Sequence, residues 1–223
     1  MDILIIAPEI TKGMKSIGSK ALLKIKQSIS VIEYQINEIK KYNNHSAITI
    51  VSGFEHDKIL KLYSESKNIN IVYNPDYAST NHGASLSVFL DQLKQTQNLL
   101  VITNGVLFKN NPFKIKPGQN HISQIYCINK PKTNFDIGYI GESSIEYLFF
   151  DLPNKWTECV MFNPMALDAI KNIDKQRISQ MYLFEIINLL IEQKIHFNVQ
   201  TTDKKNFMKI NNVRDIPKAK VFI

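Results

Sequence analysis

Cysteine is nearly absent: two in 223 residues, Cys127 and Cys159, which rules out a disulfide framework. Neither lies in a CxxC pair or a Cys/His ligand spacing, so zinc ribbons and thioredoxin-type redox motifs are excluded as well, and both read as small buried apolar residues. Long apolar runs are missing, none approaching the roughly 20 residues that span a bilayer. The opening Met1-Asp2-Ile3-Leu4-Ile5-Ile6-Ala7-Pro8 carries Asp2 and no basic stretch, so it reads as a first strand, not a signal peptide, and a cytoplasmic protein with no membrane partner is expected. The formal net charge is +7, yet no block reaches five like charges and no RRM, KH or zinc-finger pattern occurs. A nucleic-acid partner is therefore not expected, whereas a modest positive field suits an anionic small substrate. GxSxG, HExxH, Walker A, GxGxxG and DxD patterns are absent too.

What is present is ordinary globular composition, 44% hydrophobic and 21% charged, patterned as strands alternating with amphipathic helices. Ile3 to Ala7 is a continuous apolar run of strand length, as expected where both faces of a parallel sheet are covered. Further strands are predicted at Ala47–Val51, Ile69–Tyr73 and Leu99–Ile102, with helices at Val31–Lys41, His56–Ser64 and Gly83–Lys94 between them. From Ile122 the pattern changes to short strand-like runs (Ile122–Ile128, Ile137–Ile140, Tyr147–Phe150, Cys159–Phe162), followed by helices Pro164–Lys171 and Ile178–Gln193. A last strand, His196–Gln200, and a closing helix, Val213–Phe222, end the chain. The expectation is an α/β three-layer sandwich, one domain over residues 1–223, with a mainly parallel mixed sheet.

In such sheets, ligands lie beyond the carboxyl ends of the strands. The loops there supply Lys12, Lys15, Lys20, Asn74, Tyr77, Asn81, His82, Gly83, Ser85, Asn104 and Gly105. Lysines after the first strand, together with backbone amides near glycines, make a plausible phosphate cradle. Tyr77 and Asn81 suit recognition of a substrate headgroup, and Trp156 with Tyr126 and Tyr139 suits either a cation cage or core packing.

Several stretches, taken in order, carry a resemblance. Ser19-Lys20-Ala21-Leu22-Leu23-Lys24-Ile25 and Val31-Ile32-Glu33-Tyr34-Gln35-Ile36 resemble the "PKALLPI…PLIEYQIE" stretch of nucleotidyltransferases that activate sugar phosphates or phosphocholine. Ile48 to Phe54 resembles "IVVGY", Tyr73-Asn74-Pro75-Asp76-Tyr77 with Asn81 and Ser85-Leu86 resembles "YNPxY…N…SL", and Leu100 to Phe108 resembles "LLVLNGDVLF". Phe207 to Phe222 is similar to "W.EIDTPEDLEKAEKLF". The resemblance implies a nucleotidyltransferase fold, with Lys20 as the catalytic lysine that stabilises phosphate charge. It further implies nucleotide contacts at Ala7, Pro8, Lys12, Lys15, Asn81, Gly83, Asn104 and Gly105, and substrate contacts at Tyr77 and Ser85.

The departures bear on activity. The Gly-rich loop of the family reads here Ala7-Pro8-Glu9-Ile10-Thr11-Lys12-Gly13-Met14-Lys15, placing Glu9 near a triphosphate. The two metal-binding aspartates fall on Gly105 and Asn211, which offer no carboxylate. Asp76, Asp136, Glu142 and Glu158 are the acids that might compensate, and Asp215 reads as a helix-opening residue. If active, the chain would use Mg²⁺ to transfer a nucleotidyl group from a nucleoside triphosphate to a small phosphorylated substrate. The alternatives are a catalytically inactive binding or assembly module, alone as a homo-oligomer or within a larger structure, and a glycosyltransferase of the same general fold, which would want the missing DxD motif.

Overall fold

A computed structural model describes residues 1–10, 15–43, 45–93, 97–110, 112–113, 121–128 and 137–223. The first half places β1 (Asp2–Ala7), the short hairpin β2 (Lys24–Lys26) and β3 (Ile29–Ser30), α1 (Val31–Lys40), β4 (Ile48–Ser52), α2 (His56–Tyr63), β5 (Ile69–Tyr73), α3 (His82–Gln92), β6 (Leu99–Thr103) and β7 (Val106–Phe108). The second half holds β8 (Ser123–Ile128), β9 (Ile137–Ile140), β10 (Tyr147–Phe150), β11 (Asn154–Phe162), α4 (Pro164–Lys171), α5 (Lys175–Ser179), α6 (Leu183–Glu192), β12 (Phe197–Thr202), β13 (Phe207–Lys209) and α7 (Ile216–Phe222).

The central sheet has two characters. β5, β4, β1 and β6 lie side by side and all parallel. β11 then runs antiparallel to β6 and serves as a joint: one edge pairs β8, which carries β12, while its first residues pair β9 on the other edge. Strand alternation sorts the parallel strands into two cores. Leu4, Ile6, Val51, Val72 and Val101 face α3, α4 and α6 on one side. Ile3, Ile5, Ile48, Ile50 and Ile102 face α1 and α2 on the other. This is the three-layer α/β arrangement expected. The small β7–β13 ladder lies outside the main sheet and brings Lys209 opposite Val106. Cys127 and Cys159 are buried and unbridged, and burial pushes both thiols up. Among the described residues, no helix is long and apolar enough to cross a membrane.

Local chemistry explains the boundaries. Ser30 and Glu33 form a reciprocal cap that starts α1, the Glu33 carboxylate accepting the Ser30 N–H at 2.7 Å. The helix expected over 178–193 is interrupted. The Ser179 and Gln180 carbonyls accept the backbone and side-chain N–H groups of Asn81, and the Met181 carbonyl accepts Gly83 N–H. With those carbonyls taken by the start of α3, the segment breaks into α5 and α6. The closing helix begins as a 3-10 turn over Val213–Asp215 before α7. β11 starts five residues earlier than expected because a bulge between Trp156 and Cys159 breaks its alternation.

Candidate functional site

The carboxyl ends of β1 and β6 open into a cleft of about 800 Å³, mouth included. Its floor is the turn Asn104-Gly105 between β6 and β7. Three contacts fix that turn: Asn104 N–H donates to the Ile6 carbonyl at 2.9 Å, Ile210 N–H donates to the Gly105 carbonyl at 2.9 Å, and buried Gln35 spans the turn from α1. The Gln35 amide donates to the Thr103 carbonyl at 3.2 Å and to the Val106 carbonyl at 2.8 Å. Held in this way, the Asn104 side chain is 6% exposed, and neither its Oδ1 nor its Nδ2 has a hydrogen-bond partner among the described residues. A buried amide without partners loses water and gains nothing in return, at about 1–3 kcal/mol per group. Its position in the cleft wall is one where a ligand would supply the missing partners.

Lys20 enters from a single 3-10 turn, Lys20–Leu22. The turn is anchored by Ser19 N–H, which donates to the Glu55 carboxylate at 2.6 Å. The Lys20 side chain lies directly over Gly105, whose φ of +88° suits glycine. A Cβ built there would meet Lys20 Cδ at 2.5 Å and Nζ at 3.4 Å. Lys20 is 6% exposed. Burial and the nearby Lys209 push its ammonium below the ordinary value, against the opposing pull of Glu9 and Glu158.

Two further pairs complete the polar side. Glu158 sits in the bulge of β11 with φ at +63°, an uncommon backbone state for a side chain and one that aims its carboxylate into the cleft. It accepts the Thr103 hydroxyl at 3.0 Å and pairs with the Lys209 ammonium. Burial alone would raise its pKa, but Lys209 holds it below the ordinary carboxylate value. Glu9 pairs with His82 Nε2 at 2.6 Å. Its pKa, which burial alone would raise, is brought down to about 2 by His82 and by the charges of Lys20 and Lys209. The Leu183 N–H donates to His82 Nδ1 at 3.4 Å, so Nε2 is the nitrogen left to donate to Glu9. The opposite wall is aromatic: Trp156, Phe150, Tyr182 and Phe184, with the Phe150 and Phe184 rings 5.7 Å apart. A second hollow, about 820 Å³, shares Trp156, Glu158 and Lys209 with the first and is lined by Lys204, Asn211 and Lys218.

The residues singled out in the sequence divide sharply. Lys20, Asn104 and Gly105 come together in the cleft. Ala7 is buried in the core facing α1, and the Pro8 carbonyl accepts Phe54 N–H at 3.0 Å. Asn81 donates its amide to the Gln180 carbonyl at 2.7 Å. Gly83 is a packing glycine: a Cβ there would meet the Ile178 carbonyl at 2.0 Å. Ser85 is buried and accepts the Asn74 amide at 3.3 Å, and the Tyr77 ring packs on Gly53. Lys12 lies outside the described residues, as does Asp136, and Lys15 opens a 3-10 turn, Lys15–Ile17. Asn211 is exposed, its N–H donating to Asp215 at 3.0 Å. Of the candidate acids among the described residues, Asp76 and Glu142 are exposed, and Glu158 alone lines the cleft. No cage forms from Trp156, Tyr126 and Tyr139, because Tyr126 is buried in the core facing α1 while Tyr139 and Trp156 belong to the core on the opposite face. Sequence reasoning named His82 as a loop candidate but not its pairing with Glu9, and it missed the roles of Lys209, Phe150, Tyr182 and Phe184. Lys209 lies two residues before Asn211 in a stretch already singled out, but the aromatic wall has no local signal.

No family model matches the chain. Solved structures match it along nearly its whole length. The CTP:phosphocholine cytidylyltransferase of Streptococcus pneumoniae is 18% identical, with 99% of this chain and 97% of that one covered and a TM-score of 0.79. The inositol-1-phosphate CTP transferase of T. maritima is 10% identical, with 99% and 95% covered and a TM-score of 0.77. A nucleoside-diphosphate-sugar pyrophosphorylase of Vibrio cholerae is 11% identical, with 98% and 99% covered and a TM-score of 0.74. The chain has the nucleotidyltransferase fold.

Proposed function

We propose that the chain binds a nucleoside triphosphate or a small phosphorylated molecule in the cleft between Lys20, Asn104 and the aromatic wall, and that it is a binding module, not a metal-assisted transferase. The observation that carries the reading is the buried Asn104 amide, unpartnered among the described residues and placed in the cleft wall next to Lys20. An unpaired buried amide persists in a fold where something else completes it. The aromatic wall, in the same cleft as the ionised Glu9, further favours a ligand with a cationic or apolar head, phosphocholine being one such molecule.

Magnesium does not fit the donor set of the described residues. The ion wants carboxylate and phosphate oxygens in near-octahedral array. The space over Gly105 is filled by the Lys20 side chain, Asn211 is exposed, and Glu158 is paired with Lys209. Among the described residues no group of three His, Cys, Asp or Glu is placed to hold a metal ion. One observation favours the enzymatic reading instead: the bulge keeps an ionised carboxylate, Glu158, in the cleft.

A thermal-shift panel of CTP, UTP, ATP, GTP, dTTP and phosphocholine tests the binding claim, since a ligand at a hundredfold excess over Kd stabilises by about 2.7 kcal/mol. A rise in Tm with one of them, without pyrophosphate release, supports the module. No shift at millimolar concentration sinks the binding claim, and Mg²⁺-dependent pyrophosphate release sinks the non-catalytic one.

A further inference from the structure

The misfit with magnesium has a positive counterpart. The side chain that fills the space over Gly105 is itself a cation, and a second cation, Lys209, is led into the same cleft by the β7–β13 ladder. We propose that the ammonium groups of Lys20 and Lys209 stand in place of a metal ion, so that the cleft binds the phosphate groups of its ligand independently of divalent cations. The inference rests on the reading of the cleft as a site for a phosphorylated ligand and names how that ligand is held.

Four features of the site agree with it. First, position 105 offers no carboxylate, and the Lys20 side chain lies over it, its Cδ 2.5 Å from where a Cβ would stand. Second, Lys20 is 6% exposed and its turn is pinned from behind by the Glu55 carboxylate through Ser19 N–H at 2.6 Å, so the base of the side chain is fixed at the cleft. Third, Lys209 is oriented by Glu158, which the Thr103 hydroxyl holds at 3.0 Å from the other carboxylate oxygen. Fourth, Glu9 and Glu158 place negative charge near buried Lys20, and Glu158 pairs with half-buried Lys209. A buried cation without a counter-charge is strongly unfavourable, and the glutamates supply that counter-charge until a phosphate takes their place. An ammonium is a compact point charge with three donors and can meet phosphate oxygens from several directions, as a metal ion can.

Binding of CTP and of inorganic pyrophosphate is measured by titration calorimetry on the wild-type chain, in EDTA and in millimolar Mg²⁺. The expected result is binding in EDTA, unchanged or weakened a few-fold by Mg²⁺, which competes for the phosphates. Lys20→Met and Lys209→Met should each lower the affinity in EDTA at least tenfold, with folding checked by Tm so that either variant serves if the other is unstable. An affinity that rises tenfold or more with Mg²⁺ overturns this inference and leaves the cleft as a phosphate site. Binding that survives both lysine variants overturns it too. Failure of both probes to bind in either medium overturns the ligand reading and this inference together. As a readout without phosphate, Mn²⁺ mixed with excess protein should keep the electron paramagnetic resonance signal of the free ion, and loss of that signal at sub-millimolar protein contradicts the proposal.

Discussion

Two turns at the same end of the sheet, both rich in asparagine and glycine, have opposite fates. In the segment from Asn74 to Ser85 the polar groups are spent on the protein: Asn74 bonds Ser85, Asn81 bonds Gln180, Tyr77 packs on Gly53 and Gly83 lies against Ile178. In the turn Asn104-Gly105 the backbone is equally well held, by Gln35, Ile6 and Ile210, but the Asn104 side chain has no partner among the described residues. The first segment is scaffold and the second is site. Residue type and location do not separate them, whereas hydrogen-bond accounting does.

The largest effect should come from the scaffold. Gly83→Ala places a methyl group 2.0 Å from the Ile178 carbonyl, and α3 and α5 must move apart. A loss of about 3 kcal/mol is expected, as for severe overpacking, which corresponds to a fall in Tm of roughly 6–12 °C for a chain of this size. An unchanged Tm would show that the contact between α3 and α5 is looser than described. Gln35→Met comes next. It strips two buried carbonyls of their donor and should cost about 2 kcal/mol. It should also weaken ligand binding, because it frees the Asn104-Gly105 turn, and calorimetry on the variant reads that second effect.

Lys20→Met should separate stability from binding. The Lys20 pKa is below 10.5 in the folded chain, so its charge is unfavourable there at neutral pH, and the penalty is relieved only as pH rises toward 10.5. The variant should therefore be at least as stable as the wild type while losing affinity for the ligand. A clear drop in Tm would mean that the ammonium supports the fold. Paired alanine substitutions then sharpen the comparison. Asn81→Ala should lower stability by about 1 kcal/mol through a lost hydrogen bond with affinity unchanged. Asn104→Ala should leave stability unchanged or raised and reduce affinity about tenfold. Equal behaviour of the two would erase the distinction between scaffold and site.

The smallest effect is in pH, because the Glu9 side chain is 44% exposed and solvent screens its pair with His82. Glu9 titrates at about 2 in the folded chain against an ordinary 4.5, so its contribution is present above 4.5 and lost as pH falls toward 2. Melting curves of wild type and Glu9→Gln should converge over that window and differ above it. Parallel curves would mean that the pair with His82 contributes nothing to folding.

Much of the fold was legible because local rules and global structure agree. The continuous apolar runs at Ile3–Ala7 and Leu99–Ile102 could only be central strands, and the helical spacing from Val31 marked α1. The break between α5 and α6 was not legible, since it depends on carbonyls taken by Asn81 and Gly83, about a hundred residues away. Of the site, Lys20, Asn104 and Gly105 could be read from ordered motifs. Glu158 was one acid among several until a bulge in β11 turned it inward. The aromatic wall assembles Phe150, Trp156, Tyr182 and Phe184 from three elements and the turn before α6, and no window of sequence contains that arrangement.

The most direct test is a titration of ¹⁵N-labelled protein with CTP, and with phosphocholine, followed by amide resonances. Binding in the cleft predicts that the Asn104 side-chain amide pair and the Gly105 backbone amide shift progressively, while the Asn81 side chain and the Gly83 amide stay in place. Shifts confined to Asn81 and Gly83, or a saturable shift elsewhere that leaves Asn104 untouched, would contradict the assignment of the cleft as the ligand site.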